Sequence, residues 1–478
     1  MPPHPALQVP EILSIIFGNF YGEIFTDEDS LAALARTCKA FFEPAVFEFD
    51  ESRGIYGFHD DVEPAHWLRL ESYAAAIHEL QVTTEDPSGF DGFVLVLAAR
   101  HFQGRPMLPS LVTLTLDHPN LIPALPLLLS PTLRTVSFCV CDDYSLGKFP
   151  YPLHKGFMKI ILEQAPSINT LVLPGFLSNR ESYHPILSLK NLHTLIISTS
   201  EIQSGNVPLD IIASSTSLVE LKMNFPSASS DASPLDVKFQ LPCFQSLRSL
   251  SLTGASGPFI NSILTIFTFI PIESVFIELD CTDVQWRTIL TSVAQWANTV
   301  QRFEFTARSG LMIMPRYSDL EPLLSCHQMR HLIVKRYPFP SSPSLSHDNI
   351  VEMATAWPEL RELKLQLATA GVNLRSLTLL TKKLPSLREL SLSVDFSTLP
   401  ARIVKRPRRT GEQLLKLDIN HFSLGKSDPV TVADHLNNLF PLAAIDTIYT
   451  ESPSSVHKLG RVLNLCHRAC TRAGVVFE

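Results

Sequence analysis

The chain has 478 residues, of which 45% are hydrophobic and 18% charged. That composition excludes a disordered protein and leaves room for a large core or an array of repeats. The formal net charge of −8 (47 acidic and 39 basic residues) argues against general binding to a phosphate backbone, so nucleic acid is not an expected partner.

The N-terminal stretch reads as short helices. Leu7, Val9, Ile12, Leu13, Ile16, Phe17 and Phe20 recur at helical spacing, and Pro10 fits a first turn, where its missing N–H costs nothing. A second helix is predicted from Thr26 or Asp27, with Asp27, Glu28 and Asp29 at its positive end. Leu31, Leu34, Ala35 and Cys38 form its stripe. Phe41 and Phe42 follow, and Pro44 opens a third short segment, PAVFEF. Three helices in about fifty residues cannot bury this apolar surface among themselves, so part of it is expected to face a partner or the rest of the chain.

This stretch resembles an F-box. The residues that carry the resemblance are Leu7, Pro10, Glu11, Ile12, Leu13, Ile16, Phe17, Leu31, Leu34, Cys38 and Phe41. The family usually has tryptophan where Phe41 stands, and the loop between the helices is longer here. The resemblance covers about a tenth of the chain. It implies binding to the adaptor subunit of a cullin–RING ubiquitin ligase through Leu7, Pro10, Ile12, Leu13, Ile16, Phe17, Leu31, Leu34, Cys38 and Phe41, an apolar stripe laid into a groove.

Residues 51–66 read as a solvated linker. His59, Asp60 and Asp61 are adjacent but have no distant partner at ligand spacing, so no metal is expected. A helical stripe (Leu68, Tyr73, Ala76, Ile77) follows within 67–78, then a degenerate strand at 79–82. The next helix, 90–102, is apolar on most faces and is expected to be buried.

A nine-residue pattern then recurs. Its clearest copies are PSLRELSLS (385–393) and PELRELKLQ (358–366), with QSLRSLSLT, TSLVELKMN, PSLVTLTLD and PTLRTVSFC elsewhere. The last five positions alternate apolar and polar, which marks a strand with one buried face. Such a strand buries too little to stand alone, and repetition supplies its neighbours. The leading apolar residues are Leu111, Leu133, Ile168, Leu192, Leu218, Leu247, Ile272, Val300, Met329, Leu360, Leu387 and Leu414. Their spacing centres on about 27 residues, the range of leucine-rich repeats. Helices are predicted at 155–164, 261–269, 285–297, 349–356 and 432–440, but not in 226–244 or 395–412. The apolar run 259–277 is broken by Asn261, Pro271 and Glu273 and reads as helix then strand, not a membrane span. No asparagine ladder follows the strands, so the chain resembles the irregular leucine-rich repeats of fungal-type F-box proteins.

The expected architecture is α/β: a helical F-box-like domain over 1–50, a linker over 51–66 and a leucine-rich-repeat solenoid over 67–478. Parallel strands line its concave face, helices its convex face. A one-sided helix (Leu459, Val462, Leu463, Cys466, Cys470), stopped by Gly474, caps its end. The long polar segments 141–152, 226–242, 306–317, 336–347 and 395–411 follow strands, so they share one rim, and insertions gathered on one face mark a binding face. Between the leucines, small groups face outward in the early repeats (Thr113, Thr115, Thr135, Ser137, Thr194). Charges face outward later: Glu220, Lys222, Glu278, Arg302, Glu304, His331, Lys335, Glu362, Lys364, Glu389, Lys416 and Asp418. These charges, Glu220 aside, are the candidate partner-binding residues for a protein substrate.

Arg402, Lys405, Arg406, Arg408 and Arg409 make a basic loop that reads equally as a localisation signal, a docking loop or a solvated loop. The eight cysteines show no CxxC spacing, which predicts reduced cysteines in the cytosol or nucleus. The N-terminus lacks the features of a signal peptide. GxSxG, HExxH, GxGxxG and GxxxxGK[ST] are all absent, and His101, His118, His193 and His331 sit in or beside repeat elements as surface or satisfied residues. Neither catalysis nor a cofactor is expected. The F-box resemblance implies a substrate-recognition subunit of a Skp–cullin–F-box type ubiquitin ligase; the alternative is a repeat scaffold outside any ligase.

Overall fold

A short strand with one row of leucines is stable only when neighbours pair its backbone and a helical layer covers the leucines. The computed structural model of the chain shows that arrangement. It describes residues 47–50, 55–58, 64–82, 89–90, 92–116, 125–138, 153–174, 180–198, 209–225, 243–254, 256–279, 286–307, 316–336, 345–365, 372–397, 414–423, 427–440 and 444–447. The two leading F-box helices and all ten adaptor-facing residues lie outside this set. So do His59–Asp61, His118, the basic loop and the C-terminal capping helix. The chain divides into two compact units, Met1–Leu111 with His118–Ser130, and Val112–Asp117 with Pro131–Glu478.

The first unit contains strands β1 (Phe47–Asp50), β2 (Ile55–Phe58), β3 (Glu79–Val82) and β4 (Gly89–Phe90). Its helices are α1 (Pro64–Ala74), α2 (Gly92–Phe102) and α3 (Leu125–Leu128). The end of the expected third helical segment is strand: Phe47 and Phe49 alternate, and β1 pairs antiparallel with β2, Phe47 opposite Phe58. The stretch read as a linker holds β2 and the start of α1, because the aromatic and β-branched residues of IYGF suit a strand that has a partner. Trp67, Ala98, Phe102 and Leu127 form the unit's core, with Leu70, Leu97 and Met107 packed on it. The buried face of α1 is thus Trp67, Leu70 and Ala74, while Leu68 is 67% exposed. Helix α2 is not buried all round either, since Val96 is 62% exposed. Among its described side chains, Leu97, Ala98 and Phe102 are the ones packed into the unit's core.

The second unit is a sheet of consecutive parallel strands. They are β5 (Thr113–Leu116), β6 (Thr135–Phe138), β7 (Thr170–Pro174), β8 (Thr194–Ser198), β9 (Glu220–Asn224), β10 (Ser249–Thr253), β11 (Ser274–Leu279), β12 (Arg302–Ala307), β13 (His331–Arg336), β14 (Glu362–Leu365), β15 (Val372–Asn373), β16 (Glu389–Asp395), β17 (Lys416–Ser423) and β18 (Ala444–Thr447). Each pairs with the next, except that β14 and β15 both pair with β16. The connections carry α4 (Leu153–Gln164), α5 (Leu209–Ile212), α6 (Gly257–Ile266), α7 (Trp286–Ala294), α8 (Tyr317–Leu320), α9 (His347–Ala356), α10 (Leu374–Lys383) and α11 (Pro429–Leu439). Two 3-10 helices, Arg180–Ser188 and Glu321–Ser325, complete the layer. The run 259–277 is indeed divided between α6 and β11, and no helix among the described residues is long and apolar enough to cross a membrane.

All twelve leading apolar residues are buried. Just before each strand, one carbonyl accepts two successive N–H groups of the next repeat. Arg134 and Thr135 donate to Val112 O, Arg330 and His331 to Gln301 O, and Arg388 and Glu389 to Arg361 O. The same fork recurs from β5 to β17, and it fixes register although the repeats differ in length. Helix starts are set locally. Ser346 accepts from Asn349 N ahead of α9, Asn373 from Ser376 N ahead of α10, and Asp428 from Thr431 N ahead of α11.

Other side chains tie repeat to repeat where an asparagine ladder would. Trp296 Nε1 donates to Phe267 O (3.2 Å) and Trp357 Nε1 to Leu323 O (3.1 Å). Thr299 Oγ1 donates to Ile272 O (2.7 Å) and Ser246 Oγ to Thr216 O (2.5 Å). Gly254 closes β10 at φ +82°, with its N–H on Glu278 O at 2.8 Å. A Cβ there would stand 1.8 Å from Phe225 O, so the position admits glycine alone. Cys326 is buried and free, its thiol pushed up to about 11 by that burial.

Candidate functional site

The candidate site is the sheet face turned away from the helices, together with the N-terminal edge of its strands. Register aligns the outward residues into rows. The first runs Thr113, Thr135, Thr170, Thr194, Glu220, Ser249, Ser274, Arg302, His331, Glu362, Glu389, Lys416. The second runs Thr115, Ser137, Val172, Ile196, Lys222, Ser251, Phe276, Glu304, Ile333, Lys364, Ser391, Asp418. A third includes Ser198, Asn224, Thr253, Glu278, Thr306 and Lys335.

Over β5 to β8 the outward residues are half-buried and uncharged. Beyond them a hydroxyl–amide chain begins. Thr194 Oγ1 donates to Glu220 Oε2 (3.1 Å), Asn224 Nδ2 to Ser198 Oγ (3.1 Å) and Thr253 Oγ1 to Asn224 Oδ1 (2.8 Å).

The later strands bring most of the sequence-derived charges into contact with one another. Glu304 meets Arg302 at 3.0 Å and Lys335 at 2.8 Å. Glu362 meets His331 at 3.0 Å and also Lys364, which reaches on to Glu389 at 2.7 Å. Lys222 pairs with Glu220 (3.1 Å) and Lys416 with Asp418 (3.4 Å). Burial alone would raise the carboxyls of Glu304 and Glu362, but the hydrogen bonds and charges of their partners outweigh it and hold both below the ordinary carboxylate value. Burial likewise opposes the Lys364 ammonium, and Glu362 and Glu389 together raise it above the ordinary lysine value. Several outward residues here are also covered: Ile333 is 2% exposed, Ser391 2% and Asp418 4%. The fully covered outward residues thus lie in the later strands, where most of the charges are paired with one another.

At the N-terminal edge the residue preceding each strand forms a further row. It includes Arg134, Arg248, Arg330, Arg361 and Arg388, each following a leading apolar residue, Met329 before Arg330 and leucine before the others. The sequence carried this signal in PELRELKLQ and PSLRELSLS, but the outward-facing strand positions alone do not include it. Of the histidines singled out, His101 stacks on Trp67 at 4.3 Å and meets Glu71 at 3.1 Å, and His193 Nδ1 lies 2.5 Å from Asn191 O. Among the described residues no group of three or more His, Cys, Asp or Glu could hold a metal ion.

No protein-family model matches the sequence, and no curated protein matches it. Among solved structures, 35 chains match. A leucine-rich-repeat protein of Leptospira interrogans is similar at 14% identity and TM-score 0.31, covering 84% of this chain and 97% of that one. A chain from the Toll–Spatzle complex of Drosophila is similar at 11% identity and TM-score 0.32, covering 76% of this chain and 49% of that one. The leucine-rich-repeat solenoid rests on the strand ladder itself, one parallel strand per repeat with helices along one side.

Proposed function

We propose that this chain is a protein-interaction scaffold, and more specifically the substrate-recognition subunit of a Skp–cullin–F-box type ubiquitin ligase. One observation carries the scaffold reading: rows of side chains held in register along one sheet face. The finer reading is supported by the F-box resemblance at 7–41. The N-terminal helices hold the adaptor, and the repeats hold a protein substrate on the outward face and its rim, where Lys222, Glu278, Arg302, Glu304, His331, Lys335, Glu362, Lys364, Glu389 and Lys416 are the charged contacts, with the covered Asp418 beneath Lys416. Holding both partners on one chain raises the effective concentration of the acceptor lysine beside the ubiquitin-loaded enzyme. Such a subunit carries no catalytic residue and works in the cytosol or nucleus.

The test is capture of the purified adaptor subunit by the full chain and by an Ile16→Asp, Phe17→Asp variant. The parent is expected to bind and the variant to lose binding with its melting curve unchanged. Failure of the parent to bind removes the ligase reading and leaves the repeat scaffold.

A further inference from the structure

The sheet of the second unit pairs strand to strand from β5 to β17, but the helical layer behind it is not continuous. On one side α4, the 3-10 helix Arg180–Ser188 and α5 pack on one another in series. On the other, α6 packs on α7, α7 on α8 and the 3-10 helix Glu321–Ser325, that helix on α9, and α9 on α10. Between α5 and α6 the series is broken, at the step where the connection 226–242 joins β9 to β10. A second break, between α10 and α11, is offset on the sheet side. There β16 and β17 have seven and eight residues, and their pairing runs on to Asp395 opposite Ser423. The β9–β10 ladder has no such extension and ends with Asn224 opposite Thr253.

Aromatic rings fill the β9–β10 joint in place of helix packing. Phe225, which follows β9, meets Phe259 of α6 edge-on at 5.0 Å, and Phe244, which precedes β10, lies 5.0 Å from Phe267. The backbone is also unusual here. Among the described residues of the second unit, positive φ occurs only at Phe244 (+47°) and Gly254 (+82°), which bracket β10. A left-handed backbone is unfavourable for a side chain as bulky as phenylalanine and persists only where the surroundings hold it. Phe244 is held from both sides of the joint: its N–H donates to Ala213 O at 2.8 Å, just after α5, while its ring rests on Phe267, just after α6.

The two sides are built differently. On the earlier side α4 is a regular helix, but α5 has only four residues and the 3-10 helix contains Pro185. The later side has the side-chain caps of α9 and α10, the indole bonds of Trp296 and Trp357, and the ion pairs of Glu304, Glu362 and Lys364.

We infer that the β9–β10 joint divides the array into two cooperative blocks, β5–β9 and β10–β17, and is the point at which the array flexes. Bending there pivots on the β9–β10 ladder and parts the ring contacts on the helical side. Release of Phe244 from its left-handed conformation offsets part of that loss. The uncharged outward residues of β5–β8 and the ion pairs of β12–β17 lie on opposite sides of the joint, so flexing changes the spacing between the two halves of the strand face. This inference goes beyond the scaffold reading and does not depend on it.

The experiment follows hydrogen exchange of the full chain across a urea series by mass spectrometry. In an array stabilised by neighbour contacts, each cooperative block loses protection at its own midpoint. Amides of β5–β9 are expected to lose protection at lower urea than those of β10–β17, with the step between β9 and β10. Phe225→Ala should lower the midpoint of the earlier block and leave the later one unchanged, because the joint contact is already lost when the later block unfolds. Trp357→Phe should lower the later midpoint instead. A single midpoint from β5 to β17, a step at another junction, or equal lowering of both midpoints by Phe225→Ala overturns the inference. The parent chain alone decides the first two outcomes, so the test stands even where a variant fails to fold.

Discussion

Replacing Trp357 by phenylalanine measures how strongly one repeat is tied to the one before it. The indole is fully buried, and its Nε1 donates to Leu323 O at 3.1 Å across the repeat boundary. Leu323 O also accepts from Cys326 N at 2.9 Å, so removing the indole N–H does not leave that carbonyl unsatisfied. The lost bond therefore costs only its net value, about 1 kcal/mol. The vacated ring leaves a cavity in a core that collapses incompletely, which adds roughly 1–2 kcal/mol. The expected loss is about 2–3 kcal/mol, against about 3–5 kcal/mol for Trp357→Ala. Repeat arrays can unfold in parts, so urea unfolding followed by circular dichroism should be joined by hydrogen exchange across β12 to β14. A loss below about 0.5 kcal/mol, or protection lost evenly along the array, would refute the reasoning.

Leu390 is buried in β16, and Leu390→Ala should destabilise the array by about 2–5 kcal/mol, read as a lowered denaturation midpoint. Gly254→Ala combines a positive φ with a Cβ driven into Phe225 O, so a loss of at least about 2 kcal/mol is expected, with poor soluble yield as an early sign. The ion network sets a pH window. Glu304 and Glu362 ionise more readily folded than at their ordinary value of 4.5, so their stabilisation is present above that value and fades as pH falls through the depressed folded values. Lys364 has the opposite sign: its contribution holds below 10.5 and fades as pH rises through its raised folded value. Glu304→Gln with Glu362→Gln should therefore lower the melting temperature at neutral pH and flatten its fall between pH 5 and pH 3, against an unchanged slope if the pairs contribute nothing.

Leucine spacing alone located every strand from β5 to β14 and both β16 and β17, because period-2 alternation is a local property that needs no knowledge of what lies beside it. The same reading separated α6 from β11 within one apolar run, since Pro271 cannot continue a helix. The arginines that precede β6, β10, β13, β14 and β16 stand in the same repeats, at a position that strand alternation does not single out.

What the sequence could not decide was what each residue would meet. Lys335 finds Glu304 from 31 positions away, and Lys364 finds Glu389 from 25. Those pairings exist only because forked backbone bonds hold repeats of unequal length in one register. The same dependence made Leu68 and Val96 exposed although their helices read as apolar, since a helix buries only the side against which other elements pack. It also made Phe47–Asp50 a strand, because β2 was there to pair with it. Alternation thus determined which residues enter the core of the array. Register across the sheet, a tertiary property, decided which charges neutralise one another.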